Sequence, residues 1–119
     1  MTKLLALFLS ILSFQAFGKI SFDGKKFLFK YEGEQHYEVH FSKSMVKWVC
    51  VKGDELGRSE TDPFQFGVIA QDVYFIQWSE LDGTFVALTI NLKTKKIIST
   101  GVSGSYKWIR NGEIVDLNL

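Results

Sequence analysis

Apolar and polar positions alternate with a period of two along most of this chain. Past the first residues, apolar positions never recur at the three-and-four spacing of an amphipathic helix. In His36-Tyr-Glu-Val-His-Phe41 the alternation is clean, with Tyr37, Val39 and Phe41 on one face and His36, Glu38 and His40 on the other. The same parity turns Phe27, Phe29 and Tyr31 inward, because Lys26 and Lys30 occupy the opposite face, and turns Val46, Trp48 and Cys50 inward with Lys47 outward. Between Val73 and Glu80 the pattern leaves both assignments open: Tyr74, Ile76, Trp78 and Glu80 share one face and Val73, Phe75 and Gln77 the other, and the first set includes a carboxylate. Runs of this kind predict nine short strands, over residues 26–31, 36–41, 45–52, 64–70, 73–79, 84–92, 95–100, 106–110 and 113–117.

Three turns carry their own chemistry: Glu32-Gly33-Glu34, Asp82-Gly83 and Asn111-Gly112, the last two being dipeptides that tolerate the positive φ angles of a tight hairpin. Connections this short join antiparallel neighbours, so the strands form a meander. Closing that meander on itself buries one face and removes both exposed edges. The expected fold is therefore an all-β, antiparallel up-and-down β-barrel of eight or nine strands. Pro63 is placed in the one long connection, residues 53–63, where it removes no ladder hydrogen bond. Gly101-Val-Ser-Gly-Ser105 reads as a flexible turn, and it lacks the strand-to-helix setting of a nucleophile elbow.

The N-terminal residues do not fit the alternation. Lys3, the apolar run from Leu4 to Leu12 and the small residues of Ala16-Phe17-Gly18 read as a secretory signal peptide over residues 1–18, with cleavage after Gly18. The run is too short to span a bilayer, which takes about 20 apolar residues. A single domain over residues 19–119 remains, expected in the periplasm or outside the cell, with no membrane span once the signal is removed. The chain carries 14 Lys and Arg against 13 Asp and Glu, and one of the 14 is Lys3, so the body is neutral. A nucleic-acid binder of this size needs a basic face, and none is expected here. Cys50 is the one cysteine, so no disulfide framework supports the domain. It reads as a small buried hydrophobe, and it does not lie at the cleavage site, so no lipid anchor is indicated.

His36, Glu38 and His40 offer three possible metal ligands on one strand face. At about 3.3 Å per residue the two imidazoles stand roughly 13 Å apart, too far to share a zinc ion, so a solvated outer face is the better reading and no metal is expected. A second set is more informative: Tyr31, Tyr37, Arg58 and Glu80 amid inward-facing Phe27, Phe29, Trp48, Tyr74 and Trp78. A small barrel holds either its own side chains or one small ligand, and aromatics with a few polar groups at the mouth suit a ligand. Spacing alone favours the plainer alternative, that Arg58 and Glu80 pair at the rim and the tyrosines are core residues.

The strings Phe29-Lys-Tyr-Glu-Gly-Glu-Gln-His-Tyr-Glu38, Leu56-Gly-Arg58 and Asp72-Val-Tyr-Phe-Ile-Gln-Trp-Ser-Glu-Leu-Asp-Gly-Thr84 resemble the MoaF-like calycin domains and, more distantly, the bacterial phenolic acid decarboxylases. The resemblance runs from about Gly24 to Lys96 and implies a lipocalin-like barrel. In the decarboxylases two tyrosines on the first strand hold the substrate carboxylate, an Arg and a Glu complete the site, and no cofactor is used. By position the resemblance implies Tyr31 as the second tyrosine of the pair, Tyr37 as a later tyrosine of the first hairpin, Arg58 as the arginine and Glu80 as the glutamate. The first tyrosine of the pair is replaced by Phe29, leaving Tyr31 to grip a carboxylate alone. The decarboxylases also extend beyond the position of Leu119, so the resemblance implies a barrel without their C-terminal cover. The expected function is a binder of a small hydrophobic or aromatic ligand, with any carboxylate near Arg58, through Phe29, Tyr31, Tyr37, Trp48, Arg58, Trp78 and Glu80, and with no cofactor. The alternatives are a cofactor-independent lyase using Glu80, Arg58 and Tyr31, and a non-catalytic interaction module with a filled barrel.

Overall fold

A computed structural model describes residues 21–118; the signal peptide read over residues 1–18 lies outside the described residues. Eight strands follow one another: β1 (Lys26–Tyr31), β2 (Gln35–Phe41), β3 (Met45–Lys52), β4 (Ser59–Ala70), β5 (Val73–Ser79), β6 (Phe85–Asn91), β7 (Lys96–Ser103) and β8 (Tyr106–Asp116). Each pairs antiparallel with its sequence neighbours, and β1 pairs with β8 to close the barrel. No helix occurs among the described residues. The hairpins turn where positive φ is available: Gly33 and Glu34 at φ 77° and 62°, and Gly83 at φ 89°. Beside Gly83, the Asp82 carboxylate caps the Thr84 amide at 2.9 Å.

Three expectations are corrected. The runs predicted at 106–110 and 113–117 are one strand, and Asn111-Gly112 is no turn: Gly112 lies opposite Ile97 on one side and Tyr31 on the other. A Cβ there would stand 2.8 Å from the Lys30 carbonyl oxygen and 2.9 Å from the Tyr31 ring, so this glycine serves close approach rather than chain reversal. Pro63 lies inside β4, which begins at Ser59. The strand runs against β3 up to the Met45–Pro63 pair and against β5 from Phe64 onward, so the missing N–H falls where the strand changes partner. Gly101-Val102-Ser103 belongs to β7, and only residues 104–105 turn.

In β1, β2 and β3 parity places the core as the alternation predicts, and β5, β6 and β7 add to it. Phe27, Phe29, Val39, Val46, Ile76, Leu88, Ile90 and Ile97 are all buried, and Cys50 is buried beside them. In β5 the set Tyr74, Ile76 and Trp78 points inward. One end of the barrel is plugged by Phe22, whose ring packs on Phe41, Phe66 and Tyr74 at centroid distances of 5.2, 4.9 and 5.1 Å. Burying each such side chain contributes about 1.5–3 kcal/mol. The plug leaves the other end, ringed by residues 32–34, 53–58, 80–84 and 104–105, as the place where the interior can meet solvent.

Candidate functional site

At that end lies a cavity of about 250 Å³. Its walls carry Phe29, Tyr31, Tyr37, Trp48, Arg58, Trp78 and Glu80, so the fold brings all seven sequence-derived candidates together. Exposed Asp82 and Tyr106 also line it and carry it to solvent. The first-strand parity that buries Phe29 and Tyr31 aims both rings into it. Tyr31 packs edge-on against Tyr37 at 6.1 Å, and Tyr37 against Trp48 at 6.0 Å.

The β3–β4 connection supplies the mouth. The Arg58 carbonyl accepts from the Cys50 amide at 2.9 Å, so its chain position is fixed to β3. Its guanidinium carbon stands 5.6 Å above the Trp48 ring, with nitrogens 2.6 Å from a Glu55 oxygen and 3.5 Å from an Asp82 oxygen. The other Glu55 oxygen accepts from the Tyr37 hydroxyl at 2.5 Å. The rim pairing expected between Arg58 and Glu80 is therefore not what forms: Glu55 and Asp82 take the guanidinium. Glu80 instead accepts from the Trp78 indole nitrogen at 3.4 Å.

Burial pushes the Glu80 carboxyl up to about 7, helped by the charges of Glu60 and Asp62 and opposed by the Trp78 hydrogen bond and by Arg58. Asp62 is also raised, by burial first and then by Glu60 two residues along the same inward face. Burial raises both tyrosine hydroxyls; at Tyr31, Ser99 and Arg110 pull the other way, and at Tyr37 the Glu55 bond adds to the rise. Both phenols keep their protons at neutral pH, and that of Tyr37 goes to Glu55.

The wall formed by β6, β7 and β8 was not read from the sequence. Thr84 lines it from the turn before β6, Val86 and Leu88 from β6, Ser99 and Ser103 from β7, and Trp108 and Arg110 from β8. The Trp108 indole donates to the Ser99 hydroxyl at 3.3 Å and lies over Gly101, where a Cβ would fall 2.0 Å from a ring carbon. The signal was present as Ser99, Gly101 and Ser103 at a period of two, small residues making room for the facing indole. His36 and His40 sit outside this site: His36 is 3.8 Å from Glu34 and His40 is 2.8 Å from Glu38. Among the described residues no group of His, Cys, Asp and Glu is arranged to hold a metal ion.

The comparisons with known proteins agree with this architecture. A crystal structure from Burkholderia vietnamiensis, described as a "putative beta-lactamase", superposes with a TM-score of 0.77 at 17% identity, covering 81% of this chain and 95% of that one. At that identity the likeness is one of fold alone. No curated protein matches the chain. The model of the MoaF-like family matches residues 23–111, from the segment before β1 into β8. The chain therefore belongs to the MoaF-like family.

Proposed function

We propose that this barrel is an exported binder of a small, mainly aromatic molecule held at its open end. The observation that carries the reading is the cavity itself: Trp48, Trp78 and Trp108 with Phe29, Tyr31 and Tyr37 give it aromatic walls, and charged and hydroxyl side chains converge between them. At about 250 Å³ it lies below the range of about 300–1,000 Å³ usual for drug-sized ligands, which suits a molecule of one or two rings. A cavity of this size also speaks against a barrel wholly filled by its own side chains. The test is a titration of the purified domain with single-ring aromatic compounds, read by tryptophan emission. Saturable quenching supports the reading, and a flat response across the set overturns it. Export is tested separately, by mass: protein recovered from the periplasm or medium should begin at Lys19, and a chain retained in the cell with residues 1–18 attached contradicts it.

One observation favours a second reading, a cofactor-independent lyase. Glu80, with its carboxyl raised to about 7, can take or give a proton near neutral pH. Two features weigh against it. Phe29 offers no hydroxyl to a substrate carboxylate, and Arg58 is already engaged by Glu55 and Asp82. Incubation with hydroxycinnamates should return them unchanged; carbon dioxide release that disappears in Glu80→Gln would establish the lyase instead.

A further inference from the structure

Among the residues lining the cavity only Arg58 and Arg110 are basic. They differ in what they touch. Arg58 carries Glu55 at 2.6 Å, Asp82 at 3.5 Å and the face of Trp48, so its charge is already answered. Arg110 stands opposite Ser99 on β8, is partly buried, and has no carboxylate within ion-pair distance among the described residues. A guanidinium partly withdrawn from water with no counter-ion is unfavourable unless something anionic completes it.

We infer that Arg110 is the anchor for an anionic group of the ligand, and that the cavity takes compact aromatic monocarboxylates with the carboxylate on the β8 side, a proposal which rests on the ligand-binding reading above. The layout of the barrel supports this orientation. In the closed order of eight strands, β4 is four places from β8, directly across the interior. The β4 side carries inward Glu60 and Asp62, and Glu80 lies just after the neighbouring strand β5, so that side is the more acidic. The β8 side carries none of these, and the charge of Arg110 reaches the Tyr31 and Tyr37 hydroxyls. Tyr31 keeps its proton and can donate. Ser99 accepts from the Trp108 indole and stands beside the Tyr31 hydroxyl, so the two form one polar cluster next to Arg110. A planar guanidinium fork with hydroxyl donors beside it matches the two oxygens of a carboxylate. The ligand ring then falls among Trp48, Trp78 and Trp108. Arg58, the residue the decarboxylase resemblance points to, is not the anchor.

The experiment compares phenylacetate with phenylacetamide, which has nearly the same shape and no charge, by calorimetry on the full domain. The parent protein should prefer phenylacetate by about ten-fold or more, as a charge-assisted bond in a half-dry site implies. Arg110→Gln should remove the preference, weakening phenylacetate by more than it weakens phenylacetamide. Arg110→Lys, which keeps the charge without the fork, should restore part of it, and thermal melts of both variants establish that they fold. Arg58→Gln should move the preference by less than Arg110→Gln does. Equal binding of the two probes to the parent, or a preference that survives Arg110→Gln but falls in Arg58→Gln, overturns the anchor while the cavity remains a binding site. No binding of either probe overturns the ligand-binding reading and the anchor together.

Discussion

At the scale of single residues, the acidic positions inside the barrel explain both what could be read from the sequence and what could not. Phe27, Phe29, Tyr31, Val46 and Trp48 were legible because each alternates with a charged or polar neighbour that can only face water. Glu60 and Asp62 were not legible: acids at inward positions look like loop residues, yet they face Trp48 and Val46 across the β3–β4 ladder. Asp62 is 2% exposed, and its Oδ2 and the Trp48 indole nitrogen are both buried without a hydrogen-bond partner. Such a group is costly when ionised. Its carboxyl, like that of Glu80, is raised by burial, so each binds its proton more tightly in the folded state. The stability this provides is full below the unfolded carboxylate pKa and is lost as pH rises through the folded one. Melts of the parent and of Asp62→Asn should therefore coincide near pH 4 and separate toward pH 8, with the variant the more stable there by about 1 kcal/mol, or about 4–8 °C for a domain of this size. A variant less stable than the parent at pH 8 would show that ionised Asp62 is well satisfied.

At the scale of elements, the strands were predicted well where β-branched and aromatic residues alternate, and poorly where small residues carry the structure. Asn111-Gly112 reads as a hairpin because its local chemistry permits one, but the Tyr31 ring and the Lys30 carbonyl occupy the space a side chain would need. That contact with β1, about 80 residues away in sequence, has no local signature. The strand assignment predicts that Gly112→Ala costs about 1–3 kcal/mol, since a backbone oxygen cannot easily give way. Asn111→Ala, at an exposed strand position, should change stability by less than about 0.5 kcal/mol. Urea unfolding of the two variants decides it, because a true turn would make both costly. Gly101 follows the same logic with a functional consequence. Gly101→Val must displace the Trp108 indole, and the nearest free space is the cavity, so phenylacetate affinity should fall at least about ten-fold with a stability loss of about 1–3 kcal/mol. Unchanged affinity would mean that Trp108 moves outward instead.

At the scale of the whole molecule, barrel closure was legible from the need to bury one face of a meander without leaving edges. The division of labour between its two ends was not. The plug depends on Phe22, which precedes β1 and belongs to no alternating run, so its role emerges only once Phe41, Phe66 and Tyr74 are brought together. Phe22→Ala should cost about 3–5 kcal/mol in urea unfolding and leave ligand affinity at the opposite end within about two-fold. A loss of binding as large as the loss of stability would mean that the two ends are not separable. The open end gathers its polar groups from both loops and strands, and Arg58 and Glu80 could be nominated from sequence while Glu55 and Asp82, the partners of Arg58, could not. The central claim, that this end is a binding cavity, is tested most directly by a phenylacetate titration of the parent and Gly101→Val domains side by side, followed by tryptophan emission. Saturable single-site quenching in the parent that is weakened at least about ten-fold in the variant is the predicted result; a non-saturating response of equal size in both proteins would contradict it.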